Sequence, residues 1–204
     1  MAGKPGPDRA NVMLGRPSSN AGRRPIPIPI FEEECPMVLS KAELIASLQN
    51  EVRLVVHLVN KAAPAHFDYR PSASQRSTLE LIRYISMMGP TIIRWSLANT
   101  SDFEIWTRAE AASKERSFEQ AKDAIAAQRA EYADLLTELT DADFRAEVTD
   151  FDSNKTSRGA FLTNLVLGGC VAYRMQLFLY LKASSAPAIN SANLWSGMDM
   201  PTQA

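Results

Sequence analysis

The sequence predicts an all-α fold: a bundle of four long helices preceded by an extended, proline-rich N-terminal arm. Three observations predict it. Apolar residues recur every three or four positions through several stretches, the spacing that places them on one face of a helix. Ser-x-x-Glu signatures stand immediately before two of those stretches, at Ser40 and Ser77, where the serine can cap the first turn. No run of alternating apolar and polar residues competes as a strand, and polar connections separate segments of similar length.

Residues 1–38 read as a non-globular arm. Gly, Pro, Ser and Asn dominate its first half, and Arg24-Pro25-Ile26-Pro27-Ile28-Pro29-Ile30 follows. Alternating prolines cannot join a helix interior or a central strand, so this piece should be extended and close to polyproline II. It reads as a disordered tail or, through its isoleucines, as an arm lying along its own domain or a partner.

The bundle domain spans 39–185. Its first helix begins at the capping box Ser40-Lys41-Ala42-Glu43 and presents Ile45, Leu48, Val52, Val55, Val56 and Val59 on one face. Asn50, Arg53, His57 and Lys61 take the other side, and Pro64 closes the segment. A second helix starts at Ser77-Thr78-Leu79-Glu80 and turns Leu81, Tyr84, Ile85 and Met88 inward. Gly89-Pro90 should kink or break it, since proline cannot donate to the preceding turn, with helix resuming over 91–99. Ser113 or Ser117 opens a third helix with Phe118, Ala121, Ile125, Tyr132, Leu135 and Leu139 on its stripe. Residues 143–153 read as a connection with extended character at Glu147-Val148-Thr149. The fourth helix, from about Arg158 to Lys182, is apolar almost all round, which predicts a rod buried on most sides. Residues 186–204 read as an irregular tail anchored at Asn193-Leu194-Trp195.

Composition narrows the function classes. A formal net charge of −1 removes the broad basic face that nucleic acid requires. The fourth helix is long enough to span a membrane, but Arg174 and Gln176 lie within it, so no membrane association is expected. No Gly-rich phosphate loop follows a strand. Cys35 and Cys170 read as free thiols of a reducing compartment. The opening residues lack the apolar core of a secretory signal and the amphipathic pattern of a transit peptide, so the expected location is cytoplasmic.

Helix four is the informative element. Gly169, Tyr173, Gln176 and Tyr180 share one face at i, i+4, i+7 and i+11, a semi-polar stripe on an apolar rod. Buried phenols and carboxamides need partners, so the stripe meets polar groups across the bundle or lines a ligand cavity. Gly168-Gly169 alternatively serves only to let a neighbouring helix approach closely.

Arg70-Pro71, Ser77-Thr78-Leu79-Glu80-Leu81-Ile82-Arg83-Tyr84, Tyr173-Arg174-Met175-Gln176-Leu177 and Tyr180-Leu181 together resemble the DinB/YfiT-like family over roughly residues 40–185. The resemblance implies a four-helix bundle, often dimeric. It also implies three metal-binding histidines, one on helix two and an H-x-x-x-H pair on helix four followed by Arg-x-Gln. Relatives include low-molecular-weight-thiol transferases and a mycothiol-dependent isomerase. Carried across, the three histidine positions fall on Tyr84, Gly169 and Tyr173, while Arg174 and Gln176 match the residues that follow. Glycine offers no side-chain donor and a neutral phenol is a poor ligand for zinc or nickel, so neither a metal nor another cofactor is expected. His57 and His66 read as satisfied or solvated surface histidines, and Cys170, turned about 100° from the stripe, reads as a buried structural thiol.

The expectation is therefore a small-molecule-binding bundle using Tyr84, Met88, Gly169, Tyr173, Gln176 and Tyr180, supported by Arg174, in a chain that forms homodimers. Tyr84 and Tyr173 are the candidate proton donors should chemistry occur there, positioned by Arg174 or Gln176. The alternatives are a non-catalytic dimerising scaffold, and a thiol-transferase-like metalloenzyme with other ligands.

Overall fold

The computed structural model describes residues 39–100, 102–184 and 189–200. The proline-rich arm over 1–38, with Cys35, lies outside the described residues.

Four long helices form the bundle: α1 (Lys41–Val59), α2 (Thr78–Ala98), α4 (Phe118–Leu136) and α7 (Gly168–Ala183), with α3 (Glu104–Lys114) between α2 and α4. Three of the long helices start as their sequences dictate. Ser40, Ser77 and Ser117 each accept the backbone N–H of the third residue on, and Glu43, Glu80 and Gln120 return the bond to the cap. Both α1 and α2 pack against α4 and against α7, which places α4 and α7 diagonally opposite. Across that diagonal the Tyr132 hydroxyl of α4 reaches Cys170 Sγ of α7 at 3.8 Å. One half of the core gathers Leu48, Met88, Ile93, Tyr132, Leu162 and Val166, the other Leu58, Leu81, Ile82, Ile125, Leu177 and Leu181.

The expected break at Gly89-Pro90 does not occur: α2 runs through both residues. Proline deprives the Ser86 carbonyl of its helical partner, and the Arg116 guanidinium supplies one, its Nη1 donating to that carbonyl at 3.0 Å and to Ser86 Oγ at 2.6 Å. Gln128 Nε2 donates to the Ile85 carbonyl at 2.9 Å and Thr91 Oγ1 to the Met87 carbonyl at 2.6 Å. Three side chains thus satisfy the carbonyls in the turn that a proline disturbs. Gly89 has a separate reason. A Cβ there would stand 2.0 Å from the Tyr132 hydroxyl, so only glycine lets that phenol lie at the bundle centre.

Ser113 does not open a bundle helix; it ends α3, whose exposed, polar surface hides the helical pattern, and Ser117 caps α4. The extended character at Glu147–Thr149 is a strand, β1, paired antiparallel with β2 (Lys155–Ser157), after the single-turn α5 (Asp141–Arg145). The fourth helix begins as α6 (Arg158–Phe161), widens to π geometry over Leu162–Leu167, then continues as α7. It is not buried on most sides. α1 and α2 flank it, with α8 against one end, and its outward face leaves Val171 38% and Leu179 53% exposed.

The tail docks through α8 (Ser191–Trp195), where Asn193 and Leu194 are buried while Trp195, expected as an anchor, is 61% exposed. His57 is half-buried and paired with this tail: its Nε2 is 3.1 Å from Asn193 Nδ2 and 3.7 Å from Asp199. His66 is buried in a short 3-10 turn, its Nδ1 accepting the Ala63 N–H at 3.0 Å. Both are satisfied, His57 by the docked tail and His66 by local backbone, partners that their polar neighbours in sequence did not reveal.

Candidate functional site

A cleft of about 520 Å³ opens between α2, α3 and the α6–α7 rod. Tyr84, Met88 and Ile92 of α2 form one wall, Phe103 and Trp106 a second, and Asn164, Gly168, Gly169, Ala172 and Tyr173 a third, with Phe151 at one end. Five of the walls' side chains are aromatic, and they pack on one another. Tyr84 meets Tyr173 edge-on at 5.0 Å between centroids and Trp106 at 6.0 Å, while Phe151 stands 6.3 Å from Trp106. Sequence periodicity places Tyr84 and Met88 on one helix face, and the bundle then turns that face toward Gly169 and Tyr173. The π segment lies directly before this wall, and such insertions recur where a helix must present side chains out of regular phase.

Of the residues expected to share a site, Tyr84, Met88, Gly169 and Tyr173 therefore meet along one cleft. The remaining three do not join them. Gln176 donates to the Tyr180 hydroxyl at 2.7 Å, and Tyr180, buried, packs edge-on against Tyr69 at 5.6 Å. That end of the semi-polar stripe satisfies itself. Arg174 turns toward α1: Nε donates to Glu51 at 2.7 Å, Nη2 to the same carboxylate at 3.3 Å, and Nη1 to the Leu194 carbonyl. With both partners buried, this fork fastens α1, α7 and α8 and has no contact with the phenols it was expected to position.

Gly169 does not leave a void beside the tyrosines. A Cβ there would meet the Met88 methyl at 3.1 Å, so the flexible thioether already occupies the space that glycine frees. Burial first, and then the neighbouring Tyr173 phenol, push the Tyr84 pKa above the ordinary phenol range. At neutral pH Tyr84 is a neutral hydroxyl, suited to donating a hydrogen bond. Cys170, buried behind the cleft wall, has its thiol pushed up to about 11, chiefly by burial, so it is no nucleophile at neutral pH.

These side chains do not fit a divalent ion. Tyr84 holds its proton, Gly169 has no donor, and His57 and His66 are engaged elsewhere. Among the described residues no three His, Cys, Asp or Glu side chains converge as a ligand group.

Sequence reasoning missed most of the cleft lining. Phe103, Trp106 and Phe151 come from segments it left as connections, although Ile105, Trp106, Ala109 and Ser113 recur at helical spacing, which was the available signal.

No protein-family model matches the sequence, and no curated protein matches it. Among solved structures the chain is similar to a DinB-like protein from Bacillus subtilis, with a TM-score of 0.56 and 15% identity, covering 72% of this chain and 95% of that one. At this identity the likeness concerns the fold: the chain has a DinB-like, all-α architecture.

Proposed function

We propose that this chain is a DinB-like helical bundle that has lost the family's metal site and binds a small molecule in the cleft beside Tyr84 and Tyr173. The supporting observation is the cleft itself: about 520 Å³, walled by Tyr84, Trp106, Tyr173 and Phe151, with two phenols and Asn164 as its polar groups. Cavities of about 300–1,000 Å³ with apolar walls and few polar groups suit small organic ligands. The donor set in the cleft favours recognition over metal-dependent catalysis.

The test uses phenylnaphthylamine, an uncharged aromatic probe that fluoresces when desolvated. It should bind saturably at one site per chain, with energy transfer from Trp106, and Ala172→Phe should weaken it at least tenfold by filling the cleft. Absence of saturable binding, or binding unaltered by Ala172→Phe, overturns the proposal.

A second reading, a non-catalytic dimerising scaffold, draws on the outward face of α7, where Val171 and Leu179 lie exposed. Under that reading the chain sediments as a homodimer that Leu179→Lys converts to monomer.

A further inference from the structure

Next to the aromatic cleft, on the far side of Tyr84, lies a second hollow of about 440 Å³ with a different character. Arg70, Arg76, Arg83 and Lys114 line it, against two carboxylates, Glu80 and Glu110. The carboxylates are already engaged, Glu80 with Arg70 at 3.3 Å and Glu110 with Lys114 at 3.7 Å. Arg76 and Arg83 have no carboxylate partner among the described residues. Arg76 stands over the Tyr84 ring, its guanidinium carbon 3.9 Å from the centroid. Arg83 is held through Nε, which donates to the Arg116 carbonyl at 2.6 Å, leaving its two terminal nitrogens free to donate. Two guanidinium groups outside any ion pair among the described residues, one against a ring face and one on a backbone carbonyl, with Glu80 and Glu110 nearby but engaged by Arg70 and Lys114, are placed to grip an anion.

Tyr84 belongs to both hollows, with Tyr173 and Trp106 against it on the cleft side and Arg76 on the other. We infer that the ligand is an amphiphilic acid: an apolar, ring-sized body in the aromatic cleft carrying one carboxylate, sulfonate or phosphate that reaches past Tyr84 to Arg76 and Arg83. This rests on the cleft being a binding site, and it adds the chemical class of what binds. An uncharged body fills only the cleft and leaves both arginines unpaired. An inorganic anion occupies only the hollow, which is open to solvent and therefore weakly selective. A molecule with both parts uses both surfaces, and its selectivity comes from the distance between them.

The experiment compares two probes with nearly the same aromatic body on the full chain: anilinonaphthalene sulfonate, which bears the anion, and phenylnaphthylamine, which does not. The sulfonate should bind at least about tenfold more tightly at low salt, and raising ionic strength should erode that preference while leaving the neutral probe's affinity in place. Arg76→Gln with Arg83→Gln should reduce the ratio of the two affinities to near one. The salt series on the unmodified chain gives the same information should the double variant fold poorly. Equal binding of both probes, insensitive to salt, overturns the inference and leaves the cleft as a site for neutral ligands. Failure of both probes to bind, or binding of both undiminished by Ala172→Phe, overturns the cleft reading beneath it.

Discussion

Replacing Arg174 with methionine should cost more stability than any surface change in this chain. The guanidinium is 3% exposed and Glu51 9% exposed by side chain, and the two share a two-pronged contact at 2.7 and 3.3 Å. Methionine keeps the apolar stem but strands a buried carboxylate and removes the donor to the Leu194 carbonyl. Breaking a buried pair from one side costs about 3–5 kcal/mol, because the remaining charge stays desolvated. With a urea dependence of about 2 kcal/mol per molar, the unfolding midpoint should fall by roughly 2 M. Glu51→Leu with Arg174→Met together should cost less than Arg174→Met alone, about 1–2 kcal/mol, leaving only the unpaired Leu194 carbonyl. Equilibrium urea unfolding followed by circular dichroism measures Arg174→Met, Glu51→Leu and the double variant. A single-variant cost below about 1 kcal/mol, or a double variant equal to the sum of the singles, would refute the argument that a desolvated charge is at stake.

Three other perturbations probe the bundle. Gly89→Ala gains about 1 kcal/mol of helix propensity yet should destabilise by about 1–3 kcal/mol net, since its methyl meets the Tyr132 hydroxyl; Tyr132→Phe in the same chain should recover part of the loss in thermal unfolding. Arg116→Met should cost about 1–3 kcal/mol by leaving the Ser86 carbonyl without a donor, and Pro90→Ala, which restores a backbone N–H there, should make Arg116→Met much milder; equal costs in both backgrounds would rule out the carbonyl account. Burial raises the Cys170 thiol to about 11 from an ordinary value near 9, so the unfolded chain loses this proton first as pH rises. Its contribution is therefore complete below about pH 9 and declines by roughly 2–3 kcal/mol towards pH 11, a slope that Cys170→Ala should flatten in alkaline urea unfolding.

What the sequence determined by itself is local. Ser40 and Ser77 mark helix starts because a capping box is closed within four residues, and its energy does not wait on tertiary structure; between Ser113 and Ser117 the structure chose Ser117. The apolar stripes of α1, α2 and α4 were legible for a similar reason: helical spacing alone fixes which residues share a face. The same spacing grouped Gly169, Tyr173, Gln176 and Tyr180, but could not say which part of that stripe meets a cleft. Tertiary structure decided that, by packing α3 beside α2 so that Trp106 closes over Tyr84 and Tyr173, while Gln176 turned to Tyr180. Pro90 shows the difference most plainly. Its rule predicts a kinked or broken helix because it counts only donors within the helix, whereas α2 continues and Arg116, thirty residues on from Ser86, provides the missing hydrogen bond. Arg174 likewise has its partner at Glu51, 123 residues away, a distance in sequence over which no periodicity carries information. Caps and faces are decided by neighbours along the chain; clefts, buried charges and tolerated prolines are decided by neighbours in space.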